Sequence, residues 1–390
     1  MRSLFFFLFL LFVCGACQKA DWAIRTAPCT LYEPTNATHP KGAELQQMLD
    51  KYTQKGIVGL SMAIYSPDGY WAGASGFAKI EDKTAMLPCH LQYSQSVAKT
   101  YMAVTILKLY EQGKINLDEK ITQYLPTEVA GKITSADKIT VRMLLNHTSG
   151  VPEYNATPAY VSYLLQHPLH TFTTMDYLNY IAGKPLDFEP SSKHSYRNTN
   201  YVLLALIADK LTGNHAQYIH EQIFQPLGLS NTFYRETPDY LNKETLVNTY
   251  WDRYGNGTIE NCSEMQKVNV ASLIGDDGII APPMEYVKFL KALFEGQLLQ
   301  PATMNEMLTF VRNKPSDTFG FGLGIATNAY KTHIFYRHSG GGVGAGCYLV
   351  YLPAQKTFFF LGSNLGTILP TPLWENNATI EQDIFEILTK

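Results

Sequence analysis

Ser94-Gln95-Ser96-Val97-Ala98-Lys99-Thr100 stands at the head of a long apolar stretch, which runs from Tyr101-Met102 to Leu109-Tyr110 and closes at Gly113. The pattern predicts a helix with Ser96 as its cap and the glycine as its stop. Residues i and i+3 share a helix face, so the Lys99 amine falls beside the Ser96 hydroxyl. A helix N-terminus also stabilises developing negative charge. A neighbouring base then activates a serine that is otherwise a poor nucleophile. The motif is short, and a second copy occurs at Ser135-Ala136-Asp137-Lys138, in a polar segment with no long apolar helix behind it. Position before a buried helix is what singles out Ser96.

Around this helix the chain alternates in a readable order. Lys41 to Gln54 has helical periodicity. Gly59 to Tyr65 and Tyr70 to Ala78 read as a hairpin joined by Ser66-Pro67-Asp68-Gly69. Residues 115–265 hold helical patches separated by Pro and Gly, among them Val141 to Asn146, Tyr201 to Leu211 and His215 to Phe224. Strands return at His333 to Arg337, Cys347 to Leu352 and Thr357 to Gly362, and Trp374 to Thr389 reads as a closing helix. The expected fold class is α/β: an antiparallel sheet flanked by helices, with an inserted all-α domain. The corresponding division is a leader over 1–16, a tether over 17–40, a discontinuous sheet domain over 41–95 and 266–390, and a mainly helical domain over 96–265.

The 390 residues include 46% apolar and 17% charged side chains, which supports a sizeable core and excludes a disordered chain. Net charge is −3, with no basic excess to bind nucleic acid. Met1-Arg2-Ser3, the apolar run Leu4 to Val13 and Cys14-Gly15-Ala16-Cys17 form a secretory leader too short to span a bilayer. Gly15-Ala16-Cys17 resembles a bacterial lipoprotein cleavage box, although Cys14 stands where Leu or Val is usual; a plain cut after Ala16 is the alternative. The expectation is an exported protein, either secreted or held at the cell envelope by lipid on Cys17. Cys29, Cys89, Cys262 and Cys347 then remain, and they allow three full pairings or free thiols.

Two further short motifs carry chemistry. Tyr196-Arg197-Asn198 precedes an apolar helix, which separates it from the Y-x-N copies at Tyr177, Tyr240 and Tyr254. His338-Ser339-Gly340 is the chain's sole H-x-G; it follows a strand and runs into Gly341-Gly342-Val343-Gly344. A glycine-rich strand edge lets a substrate backbone approach and leaves N–H groups free to donate. There is no G-x-S-x-G and no H-E-x-x-H, and the glycine run continues into a strand, so an α/β-hydrolase elbow, a zincin site and a nucleotide loop are not supported.

Taken in order, Ser-x-x-Lys, Tyr-x-Asn and His-x-Gly resemble the penicillin-recognising serine hydrolases: class C β-lactamases, D-alanyl-D-alanine carboxypeptidases and their esterase relatives. Ile115-Asn116-Leu117-Asp118, Leu144-Leu145-Asn146-His147-Thr148-Ser149-Gly150, Pro226-Leu227-Gly228-Leu229 and Gly275-Asp276-Asp277-Gly278-Ile279 are similar to phrases of the same family. The resemblance implies the β-lactamase/transpeptidase-like fold and no metal or cofactor. It implies Ser96 as acylated nucleophile, Lys99 as its proton partner, and Tyr196 as general base that then protonates the leaving group. Asn198 would position substrate and Lys99, the Ser96 and Gly341 N–H groups would form the oxyanion hole, and His338, Ser339 and Gly340 would line the substrate edge.

The β-lactamase members usually carry Lys where this chain has His338. A neutral imidazole is a weaker anchor for a carboxylate, which favours a peptidase or esterase over a β-lactamase. The expected partner is a small molecule or peptide, cell-wall peptide among them, with membrane contact only through the lipid anchor. A fold-retaining binding protein without turnover is the competing reading. A base supplied by neutral Lys99 or ionised Tyr196 predicts activity rising towards mildly alkaline pH.

Overall fold

The strand Gly59–Ser66 (β1) is buried along almost its whole length, as its apolar run Leu60 to Ile64 requires of a strand covered on both faces. The computed structural model describes residues 22–30, 39–368 and 371–390. The leader and Cys17 lie outside the described residues. β1 pairs antiparallel with β2 (Gly69–Lys79) on one side and with β12 (Thr357–Ser363) on the other, so that Ala63 faces Ala72 and Phe360. The remaining strands of the sheet are β3 (Thr84–Ala85), β8 (Gly320–Phe321), β9 (Ala326–Tyr330), β10 (His333–Gly341) and β11 (Gly346–Leu352). The order is β3-β2-β1-β12-β11-β10-β9-β8, and every pairing is antiparallel. Two short ribbons lie outside it: β4 (Gln92–Tyr93) with β7 (Ile280–Ala281), and β5 (Tyr250–Trp251) with β6 (Glu260–Asn261).

Helices of nine residues or more, among the described residues, are α1 (Gly42–Gln54), α2 (Ala98–Glu111), α3 (Pro158–Gln166), α4 (Asn198–Thr212), α5 (Ser263–Ser272), α6 (Pro283–Phe294) and α7 (Pro372–Leu388). None is long and apolar enough to cross a membrane. Pleat alternation divides the sheet into two faces. Phe335, Val350, Phe359 and Leu361 pack with Leu45 and Leu49 of α1 and with Ile380 and Ile384 of α7. Leu349, Phe358 and Phe360 join a second cluster, which continues through Tyr286 and Phe289 of α6 to α2 and α4 without a break. The sheet's inner face and the helical region therefore share one core.

Several expectations are corrected in detail. Ser96 does not cap α2: it lies in a 3₁₀ turn, Gln95–Val97, and the helix begins at Ala98 without a side-chain cap. Residues 22–30 are not a tether. Ile24 and Thr26 are buried, and Asn248 bonds Ile24 through both its side-chain atoms at 2.9 Å. Cys29 is bonded to Cys89, and Cys262 and Cys347 are buried free thiols. The last part of the expected helical insert packs with the sheet: Tyr250 belongs to its outer cluster and donates its N–H to Asn364 at 2.9 Å.

Candidate active site

The nucleophile turn is clamped from three sides. The Ser94 N–H donates to Ile279 O at 2.9 Å, and Cys347 Sγ donates to Ser94 O at 2.9 Å. Gln95, directly before Ser96, has φ of +46°, a strained value for a side chain of its size. The third side is Gly340. A Cβ there would lie 2.5 Å from Gln95 Cβ and 2.7 Å from Ser94 O. Gly340 thus sits beneath the nucleophile turn rather than at the substrate edge, because the pleat turns it to the same face as His338. Gly340→Ala is expected to push β10 off this turn, lowering turnover by about 5- to 150-fold if the ~1–3 kcal/mol of overpacking falls on the active geometry. Parallel rate and melting measurements check this; an unchanged rate would separate the turn from the chemistry.

Lys99 is fully buried. Its Nζ donates to Ser96 Oγ at 2.9 Å and to Asp276 O at 2.8 Å. The resemblance implies that Asn198 positions substrate and Lys99; Lys99 bonds the Asp276 carbonyl instead, while Asn198, the first residue of α4, lines a hollow beside Ser96. Burial lowers the Lys99 pKa, against the opposing pull of Asp276, Asp277 and Glu153. Tyr196 is half-buried, and its hydroxyl is buried. That hydroxyl makes no well-formed hydrogen bond among the described residues, although Ser96 stands close enough to favour its ionised form. Burial outweighs this and holds the phenol well above its ordinary range. Burial therefore disfavours both charged forms and favours an amine beside a phenol.

His338 is buried, and its Nδ1–H donates to Ser339 O at 2.8 Å. The Nε2 lone pair is left without a partner among the described residues. Burial, with Lys99 nearby, pushes its pKa down to about 3, so the ring is neutral at physiological pH. Arg337 points to the opposite face and pairs with Glu381 of α7. Ser339 is on that side too, exposed at the strand edge.

Ser96, Tyr196 and Gly341 stand at the junction of two hollows. One, of about 320 Å³, is lined by Phe319, Phe321, His338 and Ser339. The other, of about 580 Å³, is lined by Asn198, Tyr154, Tyr160, Trp251, Asp276 and Asp277 among others.

A family model described as Beta-lactamase matches residues 44–371. The chain belongs to the Beta-lactamase family. Within it, Penicillin-binding protein 4* of Bacillus subtilis is 25% identical over 323 residues, 78% of this chain and 68% of the relative. A Salmonella enteritidis protein whose name gives D-alanyl-D-alanine carboxypeptidase as its candidate activity is 25% identical over 301 residues, 67% of each chain. Among solved structures, the D-amino acid amidase of Ochrobactrum anthropi superposes with a TM-score of 0.76 at 24% identity, covering 89% of this chain and 98% of that one. A D-stereospecific amidohydrolase from Streptomyces gives 0.74 at 24%, covering 88% and 98%. These superpositions establish the β-lactamase/transpeptidase-like fold. The family and its members place the chain among the serine hydrolases.

Three residues of this family member were not singled out by the sequence reading. His147, buried at φ of +59°, accepts the Arg197 N–H on Nδ1 at 3.2 Å, and its ring lies 4.3 Å from that of Tyr196. Glu153 accepts the Asn198 N–H and so caps α4; burial raises it to about 7. Asp276 holds Lys99 through its carbonyl. His147 and Asp276 lay inside phrases quoted for their likeness to the family, with no chemical pattern of their own.

Proposed function

We propose that the protein hydrolyses amides or esters of D-amino-acid derivatives through an acyl-enzyme on Ser96. The observation that carries this is the Lys99 amine, buried and 2.9 Å from Ser96 Oγ. Neutral Lys99 takes the serine proton as Oγ bonds the substrate carbonyl carbon. The Ser96 and Gly341 N–H groups receive the oxyanion. Tyr196, as a phenol, gives its proton to the departing nitrogen or oxygen as the scissile bond breaks, and regains one from Lys99. Water then cleaves the ester bond to Ser96 and releases the acid.

The smaller hollow suits the leaving group. It offers no free cation among its described lining residues: His338 is neutral and Arg337 is committed to Glu381. An uncharged amine or alcohol fits there better than a terminal carboxylate, which favours an amidase or esterase over a carboxypeptidase or a β-lactamase. A D-alanyl peptidase is the second reading, favoured by the carboxypeptidase relative.

The test is intact-mass spectrometry with peptide mapping after a fluorophosphonate and after benzylpenicillin, beside turnover of D- and L-phenylalaninamide. A fluorophosphonate adduct on Ser96 and D-selective turnover are expected. Absence of label on Ser96, or turnover that survives full labelling, would overturn the reading. A penicillin adduct on Ser96 would shift the substrate towards D-alanyl peptides.

The pH dependence has a definite sign. The base is deprotonated Lys99, whose pKa lies below the ordinary ~10.4. kcat/KM is expected to rise with pH through that lowered value, with no inflection from His338 at neutral pH. A steady-state profile from pH 5 to 10 checks this; a flat or falling curve would remove Lys99 as the base.

We further propose that the protein works in an oxidising compartment outside the cytoplasm. The Cys29–Cys89 bond and the apolar leader support this. The mass of the mature N-terminus distinguishes lipid on Cys17 from a plain cut after Ala16.

A further inference from the structure

The larger hollow has a chemical character that the acyl transfer itself does not use. Two aspartates line it, and both are buried. Asp276 Oδ2 accepts from the Tyr154 hydroxyl at 3.2 Å, while Oδ1 has no partner among the described residues. Asp277 Oδ1 accepts from the Gly278 N–H at 2.6 Å. No basic side chain forms an ion pair with either, among the described residues; Lys99 reaches only the Asp276 carbonyl. Arg253 is the one cation on the lining among the described residues, and it is half-buried, stacked near Trp251 and Tyr254 with 5.8 Å to each ring.

A buried carboxylate oxygen with no donor costs free energy that a cationic ligand would restore. Burial raises both aspartates, Asp277 to about 7, as expected of acids that lack a counter-ion. Tyr154, Tyr160 and Trp251 line the same hollow, and aromatic faces attract ammonium groups. Leu164, Leu165 and Ile368 supply apolar surface towards its mouth. The Asp276 main chain lies near the nucleophile: Lys99 Nζ bonds both Ser96 Oγ and Asp276 O, and the Asp276 side chain lines the same hollow as Ser96. The α-nitrogen of an acyl group is two bonds from its carbonyl carbon.

We propose that the larger hollow holds the acyl side of the substrate, and that Asp276 with Asp277 receives a free α-ammonium group. The substrates are then N-unblocked aminoacyl amides or esters with an apolar side chain, and N-acylated peptides are excluded. This rests on acylation of Ser96 as proposed above.

The test compares D-phenylalaninamide with 3-phenylpropanamide, which lacks the amine, and with N-acetyl-D-phenylalaninamide. Native protein is expected to favour the free amine in kcat/KM by about 10–100-fold, the worth of a charged hydrogen bond. That ratio is expected to collapse towards one in Asp276→Asn and to shrink in Asp277→Asn. Because each ratio is taken within one protein, a general loss of activity does not mimic the effect. Where a variant fails to fold, the native comparison decides. Equal or better turnover of either blocked or amine-free amide by native protein would overturn the proposal while leaving Ser96 in place. Turnover that persists after fluorophosphonate labelling would instead overturn the Ser96 reading. If no amide is turned over, D-phenylalaninol and its N-acetyl derivative are compared as protectors of Ser96 against labelling. Stronger protection by the free amine supports the proposal, and equal protection overturns it.

Discussion

Replacing Lys99 with methionine is expected to remove turnover, by roughly 10³-fold or more, while leaving the melting temperature near or above that of the native protein. The first half follows from position. Lys99 is the sole base bonded to Ser96 Oγ among the described residues, and the neighbouring phenol is held in its neutral form. The second half follows from burial. Lys99 is buried and its folded pKa lies below the unfolded value, so between those two values the unfolded chain binds more protons there. Stability then rises with pH through the window between the lowered pKa and ~10.4, and below that window the lysine is a penalty. Methionine removes this penalty at ~1.4 kcal/mol per unit of lowering. Against it stand two lost hydrogen bonds, to Ser96 and to the Asp276 carbonyl, each worth about 1 kcal/mol. Calorimetry from pH 6 to 10 checks the sign: the variant's relative advantage should fall as pH rises. A variant that is inactive and equally destabilised at every pH would show that Lys99 is structural.

Tyr196→Phe is expected to lower amide hydrolysis by roughly 10²–10⁴-fold, yet to affect a p-nitrophenyl ester by about tenfold or less. An amide nitrogen leaves only when protonated, and Tyr196 is the phenol placed to do this. A nitrophenolate leaves without a proton. The ring would keep its contact with His147, 4.3 Å away, so the loop should hold its place. Equal losses on both substrates would assign Tyr196 to serine activation instead. This comparison matters because the sequence reading gave Tyr196 the base role as well. A phenolate with its hydroxyl buried among Asp276, Glu153 and Asp277 is poorly stabilised, and an acid role fits the surroundings better.

The sheet, the long helices and the Ser96–Lys99 pair were legible because each has a periodic or fixed-spacing signature. Strand β10 was read only to Arg337, although it runs to Gly341. Glycines carry low strand propensity, and the need for them here comes from the nucleophile turn beneath Gly340, which no local pattern reports. β8 was missed for the related reason that Gly320 to Gly324 alternates glycine with apolar residues over too short a span, and β9 because Ala326–Tyr330 carries only small or polar residues before its last one. Residues 22–30 fall in a stretch without periodicity, and what orders them includes Asn248, more than two hundred residues away. The same distance hid Asp276: its contribution is a backbone carbonyl, and carbonyls have no residue signature.

The pairing of β1 with β12 has a consequence for how the protein comes into being. Leu60 sits opposite Ser363, so β1, the third of the sheet's eight strands, waits for a partner that lies far later in the chain. Closing so long a loop is slow, and the unfinished edge of β1 remains open meanwhile. The reactive serine is assembled on the same schedule. Its lysine needs Asp276, and its turn needs Ile279, Gly340 and Cys347. A chain cut before β10 lacks the contacts of Gly340 and Cys347 that hold the nucleophile turn, so Ser96 is expected to become reactive only once β10 and β11 close on it.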